Sequence, residues 1–168
     1  MRVAYFLILA VLLVAACKSP REKKIDYINS LEASDSAYNL NQMTELYWNY
    51  IDYADKYPDD LRTPEYLIKA AQRSSSLNKA EEGIRLLERL LKTYPSSKFC
   101  EQALFTMAFS YENNLNDFDK ARKYYTEFLQ KYPKSELAED AKLSLDALGK
   151  SPEEFLESIQ KDSTFDKN

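Results

Sequence analysis

The chain has 168 residues, 45 % of them hydrophobic and 30 % charged, with a formal net charge of −4; that balance supports one packed domain and argues against nucleic acid as the main partner. Two glycines are too few for a phosphate-cradling loop or a dinucleotide fold, and the absence of histidine removes the commonest general base and metal ligand.

Met1-Arg2 is a short positive start, and the fourteen residues from Val3 to Ala16 are uncharged and mostly aliphatic. As a helix they would reach about 21 Å, short of the roughly 30 Å hydrocarbon core, so residues 1–16 read as a cleaved signal peptide rather than a membrane span. The stretch "LVAACKSPREKK" at the junction resembles the lipobox of bacterial lipoproteins. That resemblance implies cleavage before Cys17 and a diacylglyceryl group on its sulfur, with a third acyl chain on its amine; an ordinary signal peptide followed by a chance cysteine is the alternative. Lys18 is not the aspartate that holds such proteins at the inner membrane, so the resemblance implies the outer membrane, with the periplasmic side expected. Two or three acyl chains anchor almost irreversibly, because each buried methylene contributes about 0.8 kcal/mol.

Residues 17–38 read as a lipid-anchored linker. Lys18, Arg21, Lys23 and Lys24 against Glu22 make it basic at its start, suited either to anionic headgroups or to a solvated leash. Ile25, Ile28 and Leu31 repeat every three residues, which leaves room for a short helix before the polar Ser34 to Ser36.

From Asn39 the apolar spacing is that of amphipathic helices. Met43, Leu46, Tyr50, Tyr53, Ala54 and Tyr57 share one face, which ends at Pro58. Thr63-Pro64 reads as a cap and a first-turn proline opening a helix with Leu67, Ala70, Ala71 and Ser74 inward. After a break at Leu77-Asn78, a helix with Ile84, Leu87, Leu90 and Leu91 inward runs to Tyr94-Pro95. The next unit repeats this: a helix from about Ser97 to Asn113, a turn at 114–117, and a helix with Ala121, Tyr124, Tyr125, Phe128 and Leu129 that ends at Tyr132-Pro133. A last pair starts at Ser135, with Leu137, Ala138, Ala141, Leu145 and Leu148 inward. Gly149 is its helix stop, and "SPEE" at 151–154 is a capping box with proline in the first turn.

Tyr-Pro thus recurs at 57–58, 94–95 and 132–133, closing the second helix of each unit, because proline cannot continue a helix. A period near 37 without a strand signal means stacked αα-hairpins, each covering the apolar face of its neighbour. Residues 39–161 are the expected repeat domain, and 162–168 a flexible tail.

Leu67, Ala71, Ser74, Gly83 and Leu87, and again Leu104, Ala108, Tyr111, Ala121 and Tyr125, fall at positions that resemble the tetratricopeptide signature. The stretches "YPSSKFCEQALFTMAFSYENN" and "DFDKARKYYTEFLQKYPKSELAEDA" resemble the long-period repeats of exported bacterial proteins: BamD-type components of β-barrel assembly and YbgF-type coordinators linked to Tol-Pal. The likeness spans about residues 40 to 148. It implies an all-α solenoid of about seven to eight helices and an adaptor without chemistry of its own, in outer-membrane protein assembly or envelope maintenance.

First helices of such hairpins line a groove, so their off-core residues are the expected partner site: Ile68 and Gln72 on one, Gln102, Phe105, Phe109 and Glu112 on the next. The alternative is that Phe105 and Phe109 are covered by the following unit. Trp48, beside Asp52 and Asp55, is a second aromatic candidate, or else a platform for the helix bearing Ile25 and Ile28. Cys100 falls at core spacing and reads as inert. The adjacent acids at 59–60, 81–82, 139–140 and 153–154 point about 100° apart on a helix and read as solvated faces. The acidic turn "NNLNDFDKA" lacks a calcium loop's central glycine and final glutamate. No catalytic group, metal or cofactor is expected, and the partner expected is another envelope protein or peptide bound by a monomer. A glycan-binding lipoprotein and a self-associating structural protein are the alternatives.

Overall fold

A computed structural model describes residues 18–34 and 39–157. The expected signal peptide, Cys17 with its expected lipidation, the polar stretch at 35–38 and everything after 157 lie outside the described residues. Among those described there is no strand. The chain forms α1 (Pro20–Ala33), α2 (Leu40–Lys56), α3 (Thr63–Ser76), α4 (Ala80–Thr93), α5 (Cys100–Asn113), α6 (Phe118–Lys131) and α7 (Ala138–Ala147), with further helix at 152–157. No helix among the described residues is long and apolar enough to cross a membrane.

The segment expected to be a linker contains a full helix. Ser19 caps α1 by accepting from the Glu22 backbone N–H at 3.2 Å, while the Glu22 carboxylate accepts from the Ser19 N–H at 2.7 Å, with Pro20 in the first turn. The same device starts the helix at 152–157, where Ser151 and Glu154 exchange bonds of 2.8 and 3.2 Å. Each satisfies two backbone donors that the helix itself leaves unpaired.

The three Tyr-Pro turns are near copies. Tyr57, Tyr94 and Tyr132 close their helices at φ −130°, −126° and −129° with ψ 58°, 55° and 54°. Each tyrosine N–H still reaches the carbonyl four residues back, and each tyrosine carbonyl then accepts from the N–H three residues on. The side chains of Asp60, Ser97 and Ser135 each accept from the backbone N–H two residues later, at 2.9, 3.2 and 3.0 Å. This places a correction on Thr63. It does not cap α3; its buried hydroxyl donates to the Tyr57 carbonyl at 2.6 Å, and the Cys100 thiol makes the matching bond to the Tyr94 carbonyl at 3.2 Å. The hairpin turns match too, because Asn78 and Asn116 both take positive φ (56° and 52°), where asparagine is tolerated.

Repeated turns give a repeated offset. Each helix packs on its chain neighbours, and the first helices α3 and α5 also touch. Ala54, Leu67, Leu87, Leu104, Tyr125, Phe128 and Ala141 belong to one buried cluster running from α2 to α7. Ile28, Leu46, Tyr47, Tyr50, Tyr53, Tyr66 and Ala70 form a second, which joins α1 and α2 to α3. Burying each large side chain of these clusters contributes about 1.5–3 kcal/mol. In the second cluster the Tyr66 ring stacks on Tyr50 at 5.2 Å and meets Tyr53 edge-on at 4.8 Å. Hairpins α1–α2, α3–α4 and α5–α6 with a following α7 make a tetratricopeptide-like αα-hairpin solenoid.

Candidate functional site

α3 and α5 run side by side as first helices of successive hairpins. Between them Gln72, Ser75, Phe105, Thr106, Phe109 and Ser110 line a depression of about 290 Å³. Helical spacing explains the set: 72 and 75 lie one turn apart on α3, and 105, 106, 109 and 110 form a single patch on α5. The Phe105 ring is fixed from below, edge-on to Tyr125 at 5.8 Å and to Phe128 at 5.5 Å, and forms the floor. Phe109 is 48 % exposed at the rim. The Ser75 hydroxyl donates to the Asn114 side-chain carbonyl at 3.0 Å and ties α3 to the end of α5. An apolar floor with an exposed amide at Gln72 and hydroxyls at Ser75 and Thr106 suits an apolar side chain flanked by peptide groups.

The depression gathers three of the six residues expected there. Ile68 is 2 % exposed and packs in the larger core, so it offers nothing to a partner. Gln102 is exposed on α5 but lies outside the depression. Glu112 is half-buried and accepts from the Tyr125 hydroxyl at 2.7 Å, which commits it to the α5–α6 hairpin; burial, aided by that carboxylate, pushes the Tyr125 phenol well up. Ser75, Thr106 and Ser110 were not among the expected residues, although the repeat register places 75 and 110 within one turn of Gln72 and Phe109.

Trp48 lies apart from this groove. It is 52 % exposed, edge-on to Tyr47 at 5.0 Å, with the Lys79 ammonium 5.6 Å above its ring. α1 sits on α2 through Lys24, which reaches Asn49 at 2.7 Å and Asp52 at 2.6 Å, and through Ile28, fully buried with Leu46 and Tyr50 in the cluster against which Ile51 also packs. Cys100 is 5 % exposed, and burial pushes its thiol up. Among the described residues no three His, Cys, Asp or Glu side chains converge as a metal site.

Residues 102–135, covering most of α5, all of α6 and the turn after it, match the family model described as a tetratricopeptide repeat. No curated protein matches the chain. Tetratricopeptide repeats are scaffolds for protein–protein interaction, and the match suggests a module of that kind at these residues.

Proposed function

We propose that the protein is an adaptor of the bacterial cell envelope, anchored through lipid on Cys17 to the periplasmic side of the outer membrane, that holds an apolar segment of an envelope protein in the α3–α5 groove. The observation that carries this reading is Phe109, half exposed beside the fixed ring of Phe105 with Gln72 opposite. A depression of about 290 Å³ takes one or two side chains. Burying one of them contributes about 2–3 kcal/mol, too little alone for a stable complex. Anchoring both partners in one envelope raises their effective concentration, so a weak groove suffices. The signal peptide, the lipobox-like "LVAAC" and Lys18 after Cys17 support the anchor and its membrane. The likeness to BamD-type and YbgF-type repeats points to outer-membrane protein assembly or envelope maintenance.

The experiment is photocrosslinking in cells with a photoreactive amino acid in place of Phe109, and a control at Arg122 on the exposed side of α6. An adduct with another envelope protein from 109 and none from 122 is expected. Adducts only with a second copy of the chain would mean self-association, and a blank at 109 would remove the groove as the site.

A further inference from the structure

Leu61 is 94 % exposed at the tip of the α2–α3 turn, the highest value for a large hydrophobic side chain among the described residues. In the other two Tyr-Pro turns the matching positions hold Lys98 and Glu136, both exposed charges. The next position is exchanged as well: Phe99 and Leu137 pack half-buried against the core, where this turn has the exposed Arg62. The first turn therefore inverts the repeat, with its apolar side chain outward.

This is also the turn beside the start of the described chain. Arg21 of α1 pairs with Asp60 at 3.0 Å, and Arg62 lies 3.7 Å from the same carboxylate, whose side chain is only 6 % exposed. Lys18 to Pro20 alone separate Cys17 from Arg21, at most about 14 Å of chain. The ion pair thus holds Leu61 at the end of the molecule where the described chain begins. Behind Leu61, a cleft of about 390 Å³ is lined in part by Pro64, Tyr94 and Pro95. The edge formed by residues 56–62, 92–99 and 131–137 carries six basic against three acidic side chains; Lys56 and Lys131 are paired with Asp52 and Glu127 behind it, and the exposed Lys92, Lys98 and Lys134 suit anionic headgroups.

We infer that the α2–α3 turn is a second membrane contact: Leu61 enters the interfacial layer of the bilayer that holds acylated Cys17, and the Tyr-Pro edge lies against the membrane. The inference rests on the anchor proposed above. Its consequence is orientation. With two points of attachment and only Lys18 and Ser19 before α1 begins, the solenoid is held at a fixed attitude rather than on a leash. Gln72 lies nine residues into α3, on the order of 14 Å along the axis from that edge, so the groove opens beside the membrane rather than into it.

The test uses the full chain, expressed with secretion in a bacterium and purified from its membranes. Trp48 is the only tryptophan, so Trp48→Phe combined with Leu61→Trp gives one reporter at the turn. Trp48→Phe with Phe118→Trp places one at the opposite, hairpin-turn end. Both go into phosphatidylethanolamine–phosphatidylglycerol vesicles containing lipids brominated near the headgroup, and intact mass reports the acyl chains on Cys17. The expected result is acylated protein with a blue-shifted emission and an about twofold loss of intensity at 61, as indole at headgroup depth gives, with no loss at 118. Acylated protein with no quenching at 61 overturns the inference and leaves the anchor standing; Leu61 is then a contact for protein instead. Protein without acyl chains overturns both.

Discussion

Gly83 and Ser74 meet across the α3–α4 hairpin so closely that a Cβ on Gly83 would lie 2.0 Å from the Ser74 hydroxyl oxygen and 3.1 Å from the Ala71 carbonyl. The matching pair in the next hairpin is Ala121 and Tyr111, whose ring instead stacks on Tyr124 at 5.4 Å. The small pair lets α3 and α4 meet closely at this point. Glycine inside a helix ordinarily costs about 1 kcal/mol relative to alanine; here the close approach offsets it.

Gly83→Ala is therefore expected to destabilise by about 1–3 kcal/mol through overpacking, against its gain in helix propensity. Ser74→Ala in the same chain removes the nearest clashing atom and restores part of the loss. Chemical denaturation of the two single variants and the double variant reads this as a coupling energy. Stabilisation by Gly83→Ala alone would show that the helices separate freely.

The hold of α1 on the solenoid should weaken in acid. Glu32 accepts from the Tyr50 hydroxyl at 2.6 Å and from the Lys69 ammonium at 2.9 Å, which joins α1 to α2 and α3. Burial pushes the Glu32 carboxyl up, but the Tyr50 hydroxyl and Lys69 together outweigh it and hold it below its ordinary value of 4.5. The hydrogen bond from Lys24, then that from Lys56, likewise holds Asp52 below 3.8. Groups depressed in the folded state stabilise it fully above their unfolded values and lose that contribution as protons bind. The thermal midpoint should fall on acidification below about pH 4.5, and Glu32→Gln should flatten part of that fall. An identical pH profile in the variant would deny Glu32 this role.

Cys100 and Thr63 are interchangeable in the geometry of their turns, each donating to the carbonyl of a Tyr-Pro tyrosine. Cys100→Thr should leave stability within about 1 kcal/mol of the parent, whereas Cys100→Val, which lacks the donor, should lose about 1 kcal/mol. A disulfide reagent should label the native thiol far more slowly than the unfolded one, since burial disfavours the thiolate. Rapid native labelling would contradict the packing.

Period and helix register were legible because proline, glycine and apolar spacing are local signals. Interactions between helices were not. α1 begins with the same Ser-Pro-x-Glu pattern as the segment at 151–154, yet only three apolar residues mark its inner face, and the ion pairs Lys24–Asp52, Arg21–Asp60 and Glu32–Lys69 that add to their burial join residues far apart in sequence. Ile68 and Phe105 share a repeat position, but one is covered and the other floors a depression, a difference set by the side chains of neighbouring hairpins. Glu112 is taken up by the hydroxyl of Tyr125, thirteen residues on and in the next helix, which helical spacing alone does not reveal. Leu61 gave a signal in the alignment of the three turns, where it replaces a charge.

The proposed function stands or falls on whether the groove at Phe109 holds the partner. Calorimetric titration of the protein captured at that position, against the parent and Phe109→Ala with thermal midpoints recorded in parallel, tests it most directly. Because Phe109 is half exposed and not part of either core, the midpoint should stay unchanged while affinity falls at least about tenfold, or 1.4 kcal/mol. Equal affinities in the parent and the variant would contradict the account.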